Sequence, residues 1–236
     1  MARGFGWIIG ICLTATVVVA AGASPDALKA DYQKADAELN RVYKAVCKEI
    51  GEEKAKALRD LERGWLGFRD GMAEARPHFE GVDAKDPKQT TMYWEAMAEL
   101  TRERTEFLRV YSGKGIAKGP AGDYFDCFGG EVELKEVAGG IAFKIEVARG
   151  PTAHIGEIEG VAVLKGDRAE FVEVLKAEDK ADPNRKPCKL AFTFSEGHIV
   201  KIEGENTSYY HGARAFFDGT YYKRNAPTSR PVDDRK

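Results

Sequence analysis

The sequence predicts an α+β protein in two parts, an N-terminal three-helix bundle and a C-terminal antiparallel β-barrel or sandwich of about seven or eight strands. Two changes of pattern carry that expectation. Apolar residues recur every three or four positions up to Tyr111, then every second position from Val132 onward. Between the two regimes, Ser112 to Gly122 (S-G-K-G-I-A-K-G-P-A-G) holds four glycines and a proline in eleven residues, the composition of a linker.

Residues 1–23 stand apart from either pattern. Arg3 gives a short basic start, Phe5 to Ala20 is almost unbroken apolar sequence, and Ala21-Gly22-Ala23 is a small-residue exit. That arrangement is expected of a cleaved secretory signal, with the mature chain starting at Ser24 and reaching the periplasm or beyond. The run is also about long enough for a retained anchor, but the small-residue exit and the polar sequence after it favour cleavage.

The first helix is expected from the stripe Leu28, Tyr32, Ala35, Leu39, Val42, Val46 and Ile50, with Gly51 as its stop. A second stripe, Leu58, Leu61, Trp65, Phe68 and Met72, makes the partner arm of a helical hairpin, with Pro77 expected to end it. A third helix should start at Thr90 or Thr91 and carry Tyr93, Met97, Leu100, Phe107, Leu108 and Tyr111, a stripe interrupted by Arg104. These segments define an expected helical domain at 24–111, a linker at 112–122 and a β-domain at 123–224. In the β-domain, alternation in Val132–Leu134, Ile141–Val147, Val161–Val163, Phe171–Val174, Leu190–Phe194, Ile199–Ile202 and Phe216–Tyr222 is punctuated by glycine turns. Asn225 to Lys236, with two prolines and five charges, reads as a mobile tail.

Charge separates the two parts. Ser24 to Lys118 carries 18 acidic and 18 basic residues, whereas Gly119 to Arg224 carries 18 acidic and 14 basic, a net of −4. The balance disfavours nucleic acid and suits a basic partner. Catalytic arrangements are not expected. Ser208, His211 and Asp218 lie in one short segment with no G-x-S-x-G elbow, and no carboxylate pair stands out among 38 acidic residues. His154 with Glu157 and Glu159 is the nearest approach to a metal set, but alternating acids on a strand are ordinarily its solvated side, so neither metal nor cofactor is expected. Tyr209, Tyr210 and His211, adjacent aromatics in a loop before the last strand, are the candidate partner-binding residues. After the leader, three cysteines remain, Cys47, Cys127 and Cys188, which allows one bridge plus a thiol or no bridge.

The helical residues carry a resemblance. Asp36, Leu39-Asn40 and Tyr43, then Leu58-Arg59, Trp65 and Arg69-Asp70, resemble the N-terminal domain of the LprI-like lysozyme inhibitors, whose pattern runs D-x-x-L-N-x-x-Y and L-R-x-x-Q-x-x-W-x-x-x-R-D. Glu62 stands where that pattern has glutamine. Spacing places Trp65 in the helical seam with Arg69 and Asp70 tying the helices together, a structural role weighed against a recognition patch. The second part, with G-x-Y at Gly122 to Tyr124, G-E-I-E-G at Gly156 to Gly160, C-x-L-x-F-x-F from Cys188 and F-D-G-T-Y at Phe217 to Tyr221, resembles the β-domain that follows it and, more loosely, the barrel of membrane-bound inhibitors of c-type lysozyme. The resemblance implies a bridge at Cys188; its usual partner is absent from the T-S-Y-Y-H-G region, so Cys127 is the expected partner and Cys47 the free thiol. It further implies a non-catalytic protein that binds a lysozyme or another peptidoglycan hydrolase. The alternative is a cell-envelope binding or structural module without inhibitory activity.

Overall fold

Ser24 opens the first helix, α1 (Pro25–Phe79), its Oγ accepting from the Ala27 N–H at 3.3 Å while Pro25 occupies the first turn, where a missing donor costs nothing. The computed structural model describes residues 24–180 and 182–224; the expected leader at 1–23 and the expected tail at 225–236 lie outside the described residues. Helical geometry fails within α1 at Gly51 alone, whose φ of 78° and ψ of 167° are open essentially to glycine only. The chain doubles back there. Arg69 Nη1 lies 3.8 Å from Asp36 Oδ1, whereas a straight helix would separate these residues by about 50 Å at its usual rise. In place of three helices the region therefore holds two main ones, α1 and α2 (Thr91–Tyr111). One glycine reverses the chain without a loop between the arms. Pro77 does not stop α1 either; it is buried in the last turn and the helix runs on to Phe79. At α2 the expected cap is present, Thr90 Oγ1 accepting from the Tyr93 N–H at 3.2 Å.

Eight strands follow: β1 (Gly122–Phe125), β2 (Gly130–Val137), β3 (Gly140–Arg149), β4 (His154–Lys165), β5 (Arg168–Val172), β6 (Lys189–Ser195), β7 (Ile199–Glu205) and β8 (Gly219–Lys223). A four-residue helix, α3 (Ala177–Lys180), lies between β5 and β6. Every strand pairs antiparallel with its neighbour in sequence, and β8 closes on β1 through Tyr124↔Lys223 and Phe125↔Tyr222. The β region is thus a barrel and not a sandwich, which leaves no sheet edge open. Inward residues such as Leu134, Phe143, Ile145, Ile158, Phe192, Val200 and Tyr221 fill its interior. Each large apolar side chain so buried contributes about 1.5–3 kcal/mol.

A second apolar cluster crosses from helices to barrel. Leu39, Val46, Leu58 and Trp65 of α1 and Phe107 and Leu108 of α2 share it with Phe125 and Cys127 of the barrel. Phe107 meets Tyr222 edge-on at 4.9 Å, and Tyr111 stacks on the same ring at 5.1 Å. The Ser112 to Gly122 segment is sewn into this seam. Ile116 is buried, and Lys223 Nζ donates to the carbonyls of Ala117 and Gly119 at 3.1 and 2.5 Å. Gly113 (φ 71°) passes so close to His198 that a Cβ there would lie 2.4 Å from the ring.

The expected Cys127–Cys188 bridge is absent, and Cys47, Cys127 and Cys188 are all free thiols. The two β-domain cysteines belong to different cores: Cys188 faces the barrel interior, and Cys127 faces the helices with its Sγ donating to the Glu103 carbonyl at 3.7 Å. Burial pushes both thiols up, Cys127 well above its ordinary value and Cys188 to about 11.

Candidate functional site

The helical motif residues converge on Trp65. Its indole is buried, with the Arg69 guanidinium 5.3 Å and the Arg104 guanidinium 5.4 Å from the ring centroid. Arg69 Nε donates to Asp70 Oδ1 at 2.9 Å and its guanidinium also faces Tyr32 on the opposite arm. Asn40 Nδ2 donates to the Asp36 carbonyl at 2.8 Å and to Asp36 Oδ2 at 3.0 Å, presenting Asp36 to Arg69 across the hairpin. Leu39 and Leu58 fill the seam. Tyr43 packs beside it; burial, then the neighbouring Cys47, pushes its hydroxyl up to about 12. Trp65, 1 % exposed, and Arg69, 7 % exposed, face inward and hold the helices to one another, with Asp36 and Asp70 at the rim of the seam.

Arg104 is the residue that sequence reasoning passed over. It reads as a gap in the α2 stripe, yet it is wholly buried, stacks on Phe107 at 4.1 Å and donates from Nε to Glu62 Oε1 at 2.9 Å. Its signal in the sequence is Glu62, the acid in place of the pattern's glutamine, which supplies a counter-charge.

Above the seam a groove of about 640 Å³ runs between α1 and the end of the barrel, walled by Leu61, Phe68, Phe128 and Phe216. Beneath it lies a buried ion pair. Arg149 Nη1 donates to Asp126 Oδ2 at 2.5 Å, Nη2 to the Tyr221 hydroxyl at 2.9 Å and Nε to the Phe216 carbonyl at 3.2 Å. Asp126 Oδ1 accepts from the N–H groups of Phe128 and Gly130 at 2.7 and 2.9 Å. The pair closes one end of the barrel.

The Tyr209–Tyr210–His211 loop is divided by the structure. Tyr209 is 59 % exposed, with Arg185 4.0 Å over its ring. Tyr210 is anchored, its hydroxyl donating to Glu173 Oε1 at 2.6 Å; burial, then that hydrogen bond, pushes it up to about 12. Burial alone would raise Glu173, but the Cys188 N–H, the Tyr210 hydroxyl and Arg185 bring its carboxyl below the ordinary range. His211 pairs with Thr207 at 2.9 Å and sets its ring edge-on to Phe217. Asp218 accepts from the Gly204 N–H at 3.0 Å, so His211 and Asp218 serve separate local contacts. The loop runs alongside β4, the Glu157 N–H donating to the Tyr210 carbonyl at 3.0 Å and the Gly212 N–H to the Ile155 carbonyl at 2.9 Å.

With that geometry in view, the comparisons are specific to one part of the chain. Residues 20–108 match the family described as "Lysozyme inhibitor LprI". The helical region is therefore similar to the LprI family. An uncharacterised protein of Rhizobium meliloti (strain 1021) is 37% identical over 93 residues, which cover 34% of this chain and 64% of that relative. The chain therefore spans less than two thirds of that relative's length. No solved structure matches the chain significantly. The LprI match ends within α2, and the eight-stranded barrel follows it.

Proposed function

We propose that this protein is a secreted, periplasmic and non-catalytic binder of a lysozyme-type peptidoglycan hydrolase, and that binding inhibits the enzyme. The observation that carries the reading is the match of residues 20–108 to the LprI family. The barrel supports it as a platform, since its interior is packed with side chains and the outer wall of β4 carries exposed residues. The buried Trp65 and Arg69, with Asp70 bonded to Arg69 at the surface, hold the platform together, while the barrel, net −4 in charge, offers the contact surface to a basic enzyme. Of the loop aromatics, the exposure of Tyr209 supports a role for it in partner contact.

Pull-down with c-, g- and i-type lysozymes, combined with a turbidity assay on cell walls, tests the proposal. Capture of at least one of these enzymes and slower clearing of the walls are expected. If none of the three is captured or slowed, the reading fails. Capture without slowed clearing would instead make the protein a non-inhibitory envelope module.

A further inference from the structure

The outer wall of β2, β3 and β4 opposes like charges. In the observed register Glu131 of β2 faces Glu146 of β3, which faces Glu157 of β4. Three carboxylates thus form one rung across three strands. The adjacent rung runs Asp123, Glu133, Lys144, Glu159. Lys144, in the middle of that rung, reaches Glu146 and Glu157 at 2.9 and 3.4 Å and Arg224 reaches Glu131 at 2.8 Å, but the carboxylates outnumber these cations and the surface remains acidic. Directly opposed like charges destabilise a sheet. The same barrel shows the ordinary solution on its other side, where Lys189 of β6 faces Glu205 of β7 and bonds it at 3.1 Å.

Three further features make the wall suited to docking. Its acids are accessible, Glu157 at 60 % and Glu146 and Glu131 at 51 %. A shallow groove of about 210 Å³ passes among Asp123, Glu131, Glu133, Lys144, Glu146 and Arg224. On β4 the same face carries apolar side chains beside the acids, with Ile155, Val161 and Val163 all more than half exposed. The rung also continues through the Glu157–Tyr210 backbone bond into the loop that carries Tyr209.

We infer that the outer face of β2–β3–β4, centred on Glu131, Glu146 and Glu157, is the docking surface for a basic protein, and, on the functional reading above, for the lysozyme itself. Its carboxylates meet lysines and arginines of the partner while Ile155, Val161 and Val163 supply the apolar contact at its border. Binding relieves the repulsion that the free sheet carries.

The test compares the full chain with the triple variant Glu131→Gln/Glu146→Gln/Glu157→Gln and with a control that removes three acids elsewhere, Glu178→Gln/Glu203→Gln/Glu205→Gln. Association with a c-type lysozyme is followed by surface plasmon resonance between about 0.02 and 0.3 M salt. The rung variant should associate at least about tenfold more slowly at low salt and lose most of its salt dependence. The control should stay within about twofold of wild type, and the rung variant should melt close to wild type, since glutamine removes the repulsion together with the exposed pairs to Lys144 and Arg224. Wild-type kinetics in the rung variant at every salt concentration would overturn the surface while leaving the functional reading standing. A wild-type chain that binds no lysozyme would overturn both.

Discussion

Replacing Asp126 should destabilise the protein far more than an ordinary surface substitution. In Asp126→Ala, Arg149 keeps its charge at 5 % side-chain exposure without a counter-ion, a situation that costs about 3–5 kcal/mol. The N–H groups of Phe128 and Gly130 lose their shared acceptor as well, at about 1–3 kcal/mol for each that stays dry. Because the effects overlap, a total of about 5 kcal/mol is expected, comparable with the whole stability of many domains. Asp126→Asn separates the two contributions. Its side-chain oxygen can still accept from both N–H groups, so only the charge and the acceptor for Arg149 Nη1 are lost and the cost should fall to about 3 kcal/mol. Adding Arg149→Met to Asp126→Ala removes the stranded cation and should recover part of the loss. Urea unfolding followed by far- and near-ultraviolet circular dichroism, with coincident transitions required, gives these differences. If Asp126→Ala lies within about 1 kcal/mol of wild type, or the double variant is as unstable as the two single losses added, the pair does not hold the barrel end as described.

Gly51→Ala should cost about 1–3 kcal/mol, all of it backbone strain, because nothing lies within 4 Å of the added Cβ; an unchanged melting temperature would show that the hairpin does not need that conformation. In native protein under a thiol reagent, the half-buried Cys47 should react first, with Cys127 and Cys188 reacting only on unfolding; fewer than three titratable thiols after denaturation would restore a bridge. Burial first, then Glu146 and Asp123 among its neighbours, raises Glu131 above its ordinary carboxyl value against the pull of Arg224. The folded state therefore binds this proton more tightly than the unfolded one. The associated stability is present below the ordinary value of 4.5 and is lost as pH rises through the higher folded value. Melting curves at pH 4 to 8 should thus show wild type gaining on Glu131→Gln as pH falls, at about the ordinary carboxyl range and just above it; a constant gap would mean that Glu131 is not perturbed.

Periodicity made most of the elements legible. The α1 and α2 stripes and the alternating strands are local patterns, and local geometry alone decides which face a residue occupies. Strand number and the change from helix to sheet followed from the same patterns, and the Asp36-to-Asp70 motif located the hairpin seam. Other features required partners distant in the chain. Whether the strands closed into a barrel depended on β8 reaching β1, a pairing of Tyr124 with Lys223 that no local pattern encodes. Cys127 and Cys188 share a domain in sequence, yet a positive φ of 61° at Cys127 lies in a turn beside the helices, away from the barrel core that holds Cys188. Arg104 looked like an interruption because a charge on an apolar face is expensive until Glu62 and the rings of Trp65 and Phe107 surround it. Likewise, Tyr210 looked as free as Tyr209 until Glu173, from a strand end 37 residues earlier, accepted its hydroxyl. The sequence by itself determined the elements and the acidic balance of the second part, because both are sums over neighbours along the chain. Only the tertiary structure decided that Glu131, Glu146 and Glu157 stand side by side, because strand register brings distant carboxylates together against their mutual repulsion.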